Sequence, residues 1–543
     1  MAALAPPTAL VDVELGAEPR RGVPLAVTVR NAEPDVADTG EHGAGDAAGD
    51  CGDDGAERER AEPVLGPHAD RIGVDATWLT AAGMTGATGK VHDVALPGSR
   101  PAVGWVLGLG DSTERDYRRA GAALIKAADG RAAADGKEGR RPARSLQVAL
   151  PAEVSAEQVA AFTLGAVLAS YDFRVTAQDR PPLTRTVTLL GPAELEPAVR
   201  RALVLARATA LTRDLANMPS NTKDPAWLAG TAARLAAAVP GLTARVRDVP
   251  WLRARGFGGV LAVGGGSARP PRLLELSWRP RGSAVGPHLA LVGKGITFDT
   301  GGISIKPALN MHVMRTDMAG GGAVIAALIA IAQLRLPLRV TGLVPMAENH
   351  VSGSAYRPGD VVRHVDGRTT AVTNTDAEGR IVLADGLGYA VRTLRPDLIV
   401  DVATLTGAMR IALGWRTGGF FATDDELAER LMAAGERAGE AWWRMPLGFD
   451  MVELDTGYAE KVHSARADVE QCPVGPGAIA AALFLREFTG GVPWAHLDVA
   501  GAARSEKAYD DVTVGATGFA ARTLVELASS VAGSTPPRTP ARS

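Results

Sequence analysis

Cysteine is nearly absent: only Cys51 and Cys472 occur among 543 residues, too few for a disulfide scaffold or a thiolate zinc site. That usage fits a reducing compartment. Charge of one sign is lacking too, since 58 basic residues against 61 acidic ones leave a formal charge of −3. A general nucleic-acid or membrane-surface role is therefore not favoured. The opening MAALAPPTALVDVELG carries Asp12 and Glu14 and has no basic region followed by an unbroken apolar core, so secretion is not expected. No apolar run reaches the roughly 20 residues of a bilayer-spanning helix. The longest, Ala323 to Ala332, reads as a buried helix. A cytoplasmic protein without a membrane partner is the expectation. What remains is ordinary globular composition, 46% hydrophobic and 22% charged, in a chain long enough for one or two cores.

Residues 33–62 hold 11 acids against two arginines and almost nothing apolar, so they cannot bury enough surface to order themselves. A disordered acidic insertion is expected there, bounded at 31–66, after a strand from Val23 to Arg30. A basic loop is expected from Asp129 to Ser145, and a Pro/Ser-rich disordered tail over 529–543. Short apolar runs (Val103 to Leu109, Leu146 to Leu150, Val187 to Leu190) alternate with helical stretches (Thr113 to Ala128, Ala156 to Ser170). This predicts a smaller N-terminal α/β domain, taken as 1–195. A long amphipathic helix from Glu194 to Leu215 marks the junction.

Over 196–528 the pattern predicts a larger α/β domain with a central sheet covered by helices. Its buried-strand candidates are Val260 to Val263, His288 to Val292, Val340 to Pro345, Leu398 to Val402 and Trp494 to Val499. Helical runs intervene at Gly320 to Leu334, Ile381 to Thr393, Asp425 to Ala438 and Ala478 to Thr489. In sheets of this kind chemistry gathers at the strand ends.

Three strand-end loops carry unusual residues: VGKGITFDTGGISIKP at 292–307, MRTDMAGGG at 314–322 and NTDAEGRIVLADG at 374–386. They concentrate Lys294, Asp299, Lys306, Asp317, Asp376, Glu378 and Arg380. Carboxylates crowded into one Gly-rich pocket repel strongly unless cations neutralise them, and metal ions are the simplest neutraliser. Four acids without nearby cysteine or a His-x-x-x-His pair favour oxygen-ligated divalent metals, and that many can hold two ions. In an extended segment the spacing of Asp376 and Glu378 would point both to one face. Such a dinuclear site usually attacks a carbonyl or phosphoryl centre. A lone DxE pair or strand-side lysine is more often a cap or a surface charge; the set together argues for a site. His350, His364, His463 and His496 read as structural or surface groups, and Cys472 as an incidental thiol.

The same three strings, with TRDLANMPSNTKDPAWLA at 212–229, DVATLTGAM at 401–409 and FLREFTGGVPWAHLDVAG at 484–501, resemble the signature blocks of the leucyl (cytosol) aminopeptidase family of dinuclear metallo-exopeptidases. The resemblance spans roughly 205–528; the N-terminal part shares only a loose layout and GWVLGLGD at 104–111. It implies that Lys294, Asp299, Asp317, Asp376 and Glu378 ligate two divalent metal ions per subunit, Zn²⁺, Mn²⁺ or Mg²⁺, with Asp299 and Glu378 shared. Lys294 would then be a neutral amine. The implied mechanism has the metals binding the free α-amino group and the scissile carbonyl while activating a water. Lys306 would donate to the developing gem-diolate, and Arg380 would anchor a bicarbonate that moves the proton. A pocket of Met314, Thr404, Gly407, Ala500 and Ala503 would take the substrate's N-terminal side chain. Small Ala503 leaves room for leucine and other bulky apolar residues. The resemblance further implies a homohexamer with sites facing an interior cavity, acting on short peptides. A nucleic-acid-binding or architectural hexamer is the alternative, which the acidic 33–62 segment argues against, and a dinuclear phosphoesterase is a third reading.

Overall fold

The computed structural model describes residues 7–31, 63–99, 101–176, 182–280, 286–447, 463–473 and 475–533. The chain divides into two compact units, one comprising Ala9–Tyr171 with Asp179–Leu203 and the other chiefly Val204–Ser543.

The first unit is built on strands β1 (Asp12–Gly16), β2 (Leu25–Arg30), β3 (Val64–Leu65), β4 (Val91–Ala95), β5 (Val103–Gly108), β6 (Ser145–Ala149) and β7 (Thr186–Leu190). They form one sheet in the order β1-β7-β6-β2-β5-β4, with β3 beside β2. Its central strands are parallel and apolar on both faces, as helix-covered strands must be. Helices α1 (Ala76–Ala81), α2 (Glu114–Lys137) and α3 (Ala156–Ala169) accompany them. Capping boxes start α2, from Thr113 and Asp116, and α3, from Ser155 and Gln158.

Two expectations are corrected here. The stretch from Asp129 is not loop until Lys137, because its alanines carry helix through Gly130 and Gly136, Ala132 is buried, and Arg131 pairs with Asp135 one turn on at 3.2 Å. At the end of the acidic insertion, Val64 and Leu65 pair with Arg30 and Val29, so 64–65 are strand. The insertion's acidic body, 33–62, lies outside the described residues.

Helix α4 (Glu196–Asn217) leads from the first unit into the second. There follow α5 (Pro225–Ala237), β8 (Leu242–Arg247), α6 (Val249–Arg255), α7 (Gly258–Gly264), β9 (Arg272–Trp278), β10 (His288–Gly293), β11 (Gly295–Asp299), α8 (Ala319–Gln333) and β12 (Arg339–Asn349). A small sheet of β13 (Val361–Arg363), β14 (Thr369–Ala371) and β18 (Val469–Glu470) stands apart. The rest comprises α9 (Glu378–Tyr389), β15 (Leu398–Ala403), α10 (Gly407–Leu413), β16 (Thr417–Ala422), α11 (Asp425–Ala438), β17 (Ala441–Arg444), β19 (Trp494–Asp498), a short ribbon of β20 (Arg504–Ser505) and β21 (Gly515–Ala516), and helices Gly477–Arg486 and Ala521–Ala532. The last helix runs through Ala532, so residues 529–532 are helix where a disordered tail is expected; 534–543 lie outside the described residues.

Among the described residues the main sheet has nine strands, in the order β17-β16-β19-β15-β10-β12-β9-β8 with β11 beside β12. Its central β19, β15, β10 and β12 are mutually parallel, so their carboxyl ends open on one edge. Residues 260–263 are helix α7 rather than strand. A four-residue apolar run does not distinguish the two, and the Asp385 carboxylate accepts from Val260 N at 2.8 Å near the helix start. Helix α8 is buried all round. The segment Met311–Gln333 is long and apolar enough to cross a membrane, yet its most apolar window is 94% buried inside the protein, as a core helix would be.

The start of α8 presses against the strand ends that carry the candidate site. A Cβ on Gly320 would stand 2.1 Å from Val402 O, and one on Gly293 would stand 2.6 Å from the Cα of Gly321. Only glycine permits this approach.

Candidate metal centre

Each charged residue singled out in the sequence leaves the sheet at this edge. Lys294 follows β10, with its backbone N–H donating to Val402 O at 3.0 Å. Asp299 closes β11, Lys306 follows in the Gly-rich loop, and Asp317 sits between the turn Met311–Thr316 and α8. Asp376 lies in the 3-10 turn Thr375–Ala377, and Glu378 and Arg380 lie in the first turn of α9. The expected extended NTDAE segment is thus a turn running straight into helix. Its cause is local: the Asn374 side chain accepts from Asp376 N at 2.9 Å, which caps the turn.

The turn nevertheless delivers both acids to one place. Asp299, Asp376 and Glu378 each offer an oxygen within 4.8 Å of the others. Lys294 Nζ lies 2.8 Å from Asp317 Oδ2 and 2.8 Å from Glu378 Oε1, and it donates to Thr404 O at 3.1 Å. Lys306 Nζ lies 2.7 Å from Asp299 Oδ2 and also pairs with Asp376. Lys294, Asp299, Asp317 and Glu378 are buried, while Asp376 and Lys306 are partly exposed.

Four carboxylates thus face two ammonium groups. Burial and then the Asp299 charge push Glu378 up to about 8. Burial likewise lifts Asp317 to about 6, with Asp299 adding and Lys294 opposing, and Asp376 to about 6, with Asp299 adding and Lys306 opposing. Burial opposes charge on Lys294 and Lys306, but the surrounding carboxylates outweigh it and hold both ammonium groups above the ordinary lysine range. The cluster is short of positive charge. Two of its buried atoms, Glu378 Oε2 and Asn349 Oδ1, have no hydrogen-bond partner among the described residues. Oxygen donors in excess, unneutralised and partly unpartnered, fit divalent cations. The lysine ammoniums stand where such cations would otherwise balance the carboxylates.

Arg380 is buried, and its Nη1 donates to Gln471 O at 2.7 Å. Burial pulls its guanidinium below the ordinary range while Cys472, Glu378 and Asp498 support the charge. No carboxylate forms an ion pair with it among the described residues, and its buried Nε has no partner there. Of the expected pocket residues, Thr404 is tied directly to the cluster, its Oγ1 donating to Asp317 Oδ1 at 2.7 Å. Met314 sits in the turn before Asp317 and is partly exposed, and a Cβ on Gly407 would meet open space. Ala500 and Ala503 follow β19, with Ala503 buried. The Asp498 carboxylate joins these loops: it accepts from Leu405 N, Thr406 N and Ala500 N, each at 3.1 Å.

Sequence reasoning missed the residues that hold the ligands in place. Asn349 Nδ2 donates to Asp299 Oδ1 at 2.8 Å and to Thr375 O at 3.0 Å. Thr375 Oγ1 donates to Gly301 O at 2.7 Å, and the Tyr356 hydroxyl donates to Thr375 O at 2.8 Å. Gln471 Oε1 accepts from Thr373 N and Asn374 N, both at 3.0 Å, while its amide donates to Ala377 O at 3.1 Å. Asn349 alone had a signal: it ends β12, four residues beyond the expected strand end at Pro345. The histidines stand apart from the cluster's contacts. His364 is buried on Asp385 and Thr370, His496 on Asp401, and His350 and His463 are exposed. Cys472 is a free, partly exposed thiol.

Residues 210–525 match the catalytic domain of the cytosol aminopeptidase family. A probable cytosol aminopeptidase of Roseiflexus castenholzii is 48% identical over 379 residues, covering 68% of this chain and 75% of the relative. One from Leifsonia xyli subsp. xyli is 40% identical over 501 residues, covering 87% and 95%. Among solved structures, the bottromycin maturation enzyme BotP in complex with Mn superposes with a TM-score of 0.74 at 41% identity, over 84% of this chain and 97% of that one. A mutant of tomato leucine aminopeptidase gives 0.78 at 28% identity, over 97% of both chains.

Proposed function

The chain belongs to the cytosol aminopeptidase family and is a metal-dependent hydrolase of peptides; from that premise we propose that it removes N-terminal leucine and other bulky apolar residues at a dinuclear site held by Lys294, Asp299, Asp317, Asp376 and Glu378. The observation that carries this reading is the meeting of four carboxylates, short of positive charge, at the carboxyl ends of the central strands. Asp299 and Glu378, the most buried acids of the cluster, would hold the metals at its inner side. Manganese or zinc suits this oxygen-rich set with one amine, and the BotP relative is described with Mn. Bound there, divalent cations would polarise the scissile carbonyl and bring a water's pKa towards neutrality.

The chain's own groups do the rest. Lys294 must give up its proton to ligate, whereas Lys306, held protonated by Asp299 and Asp376, is a hydrogen-bond donor for the oxygen that gains charge in the transition state. Arg380 offers its unpartnered Nε to a small anion, for which bicarbonate is the candidate, and such an anion would supply a proton acceptor where the cluster's carboxylates are taken up as ligands. Thr404 orients Asp317 and, with Met314, Gly407, Ala500 and Ala503, shapes the space for the substrate's first side chain. The small Ala503 leaves that space wide. We assign the protein to the cytoplasm as a homohexamer acting on short peptides. Turnover of Leu-, Phe- and Ala-amides tests the specificity: the bulky residues are expected to lead, and a clear preference for Ala contradicts the pocket assignment.

A further inference from the structure

The segments that follow β15 and β19 carry two arginines that this mechanism does not use, and the turn before Asp317 carries a third. Arg410, in α10, places its guanidinium carbon 5.1 Å from the centroid of the Trp415 ring. Arg504, at the start of β20, places its own 4.8 Å from the same ring. The two segments touch backbone to backbone, since a Cβ on Gly501 would stand 2.1 Å from Gly414 O and 3.3 Å from Arg410 Cα. Arg315 supplies a third charge, its Nη1 donating to His312 O at 3.0 Å. Burial, with repulsion from Arg410 and Arg315 acting the same way, pulls the Arg504 guanidinium below its ordinary range.

These cations are under-neutralised. Among the described residues neither Arg315 nor Arg410 has a carboxylate partner, and Arg504 has only Glu506, 3.3 Å away with a side chain 60% exposed. Position gives them a use: Arg315 directly follows Met314, Arg410 lies three residues after Gly407, and Arg504 directly follows Ala503. Guanidiniums beside an indole are suited to carboxylates, which they grip through parallel N–H donors while the ring holds the cations in place.

We propose that Arg410 and Arg504, set around Trp415, form a platform that binds a carboxylate of the peptide substrate, with Arg315 adding positive charge from the turn before Asp317. The proposal rests on the aminopeptidase reading and deepens it. The carboxylate can be the C-terminus of a short peptide or an acidic side chain, and the two sources are separable. Such partly solvated pairs are individually weak, so two or three together lower KM by roughly fivefold to tenfold at low salt.

The test compares KM for Leu-Gly-Gly with its C-terminal amide, and for Leu-Asp-amide with Leu-Asn-amide, in wild type and in Arg410→Gln/Arg504→Gln. The expected result is a fivefold to tenfold lower KM for one acidic member in the wild type, with kcat little changed, and a ratio near one in the double variant. The first pair identifies the C-terminus as the source, the second a side chain. Should the double variant melt early, Arg410→Gln alone, an exposed residue stacked on the Trp415 ring and without a carboxylate partner among the described residues, carries the comparison by halving the ratio or more. Equal KM values in the wild type, or a ratio that survives the substitutions, overturn the platform while hydrolysis of the amides leaves the peptidase reading standing. Hydrolysis of none of the four removes both.

Discussion

The triple glycine at the start of α8 makes a graded prediction, because its members face different neighbours. A Cβ on Gly320 would lie 2.1 Å from Val402 O and 2.6 Å from Val402 C, both backbone atoms of β15. The nearest atom to a Cβ on Gly322 is Met318 Cε at 3.3 Å, the free end of a flexible side chain, followed by Thr212 Cγ2 at 3.7 Å. Gly322→Ala therefore gains the helix preference of alanine, about 1 kcal/mol, and asks only a small movement of one methyl group. Gly320→Ala must push the helix away from the sheet, at a cost of about 3 kcal/mol or more because backbone cannot yield. The displacement reaches the site, since Val402 O accepts from Lys294 N at 3.0 Å and Lys294 O accepts from Gly321 N at 2.8 Å. At about 2 °C per kcal/mol for a domain of this size, Gly322→Ala should raise the melting temperature by up to about 2 °C with full metal-dependent activity. Gly320→Ala should lower it by about 6 °C or more and weaken metal binding. Thermal scanning with and without added Mn²⁺ reads both. A Gly320→Ala protein that melts and binds metal like the wild type, or a Gly322→Ala protein equally damaged, refutes the close-approach argument.

Removing Asn349, which holds Asp299 and the Thr375 carbonyl together, should weaken metal affinity about tenfold to hundredfold in Asn349→Ala; competition against a chelator measures this, and unchanged affinity contradicts the assigned role. His288 makes a prediction about acid. Burial, with Arg339 acting the same way, depresses its imidazole to about 4, so its contribution is complete above its ordinary pKa of 6.5 and is lost as pH falls towards 4. The loss is about 1.4 kcal/mol per pH unit. Urea midpoints for His288→Asn should therefore fall less steeply than those of the wild type between pH 6.5 and 4.5, and parallel curves would refute it. For the buried pair that joins β15 to β19, Asp401→Ala leaves His496 and the Trp494 indole N–H without their carboxylate. A loss of about 3–5 kcal/mol is expected by denaturant titration; a loss under about 1 kcal/mol would mean the pair is dispensable.

What the sequence disclosed followed physical type. The strands at 288–292, 398–402 and 494–499 were legible because parallel, fully covered strands are continuous apolar runs bounded by Gly-rich or polar turns. Residues 260–263 show the limit of the same signal, being equally apolar and yet helical because of where Asp385 stands more than a hundred residues later. The charged members of the site were visible as chemistry out of place in Gly-rich loops. Their supports were less so: Asn349 has only its place just past an expected strand, and nothing local in Tyr356 or Gln471 records that each reaches across the fold to a loop bearing a ligand. The NTDAE turn was misjudged as extended for a similar reason: its shape depends on the Asn374 cap and on Gln471, 97 residues away.

The central claim is that the acid cluster binds metal for hydrolysis, and hydrolysis of a leucine anilide tests it most directly. The protein is chelated, then supplied with Mn²⁺ or Zn²⁺, with Asp376→Ala treated in parallel and bound metal counted in both. Activity lost on chelation, restored by metal at two ions per subunit, and missing from the variant is the predicted result. A folded protein that binds no divalent metal at this cluster, or that cleaves the anilide equally well without it, would contradict the account.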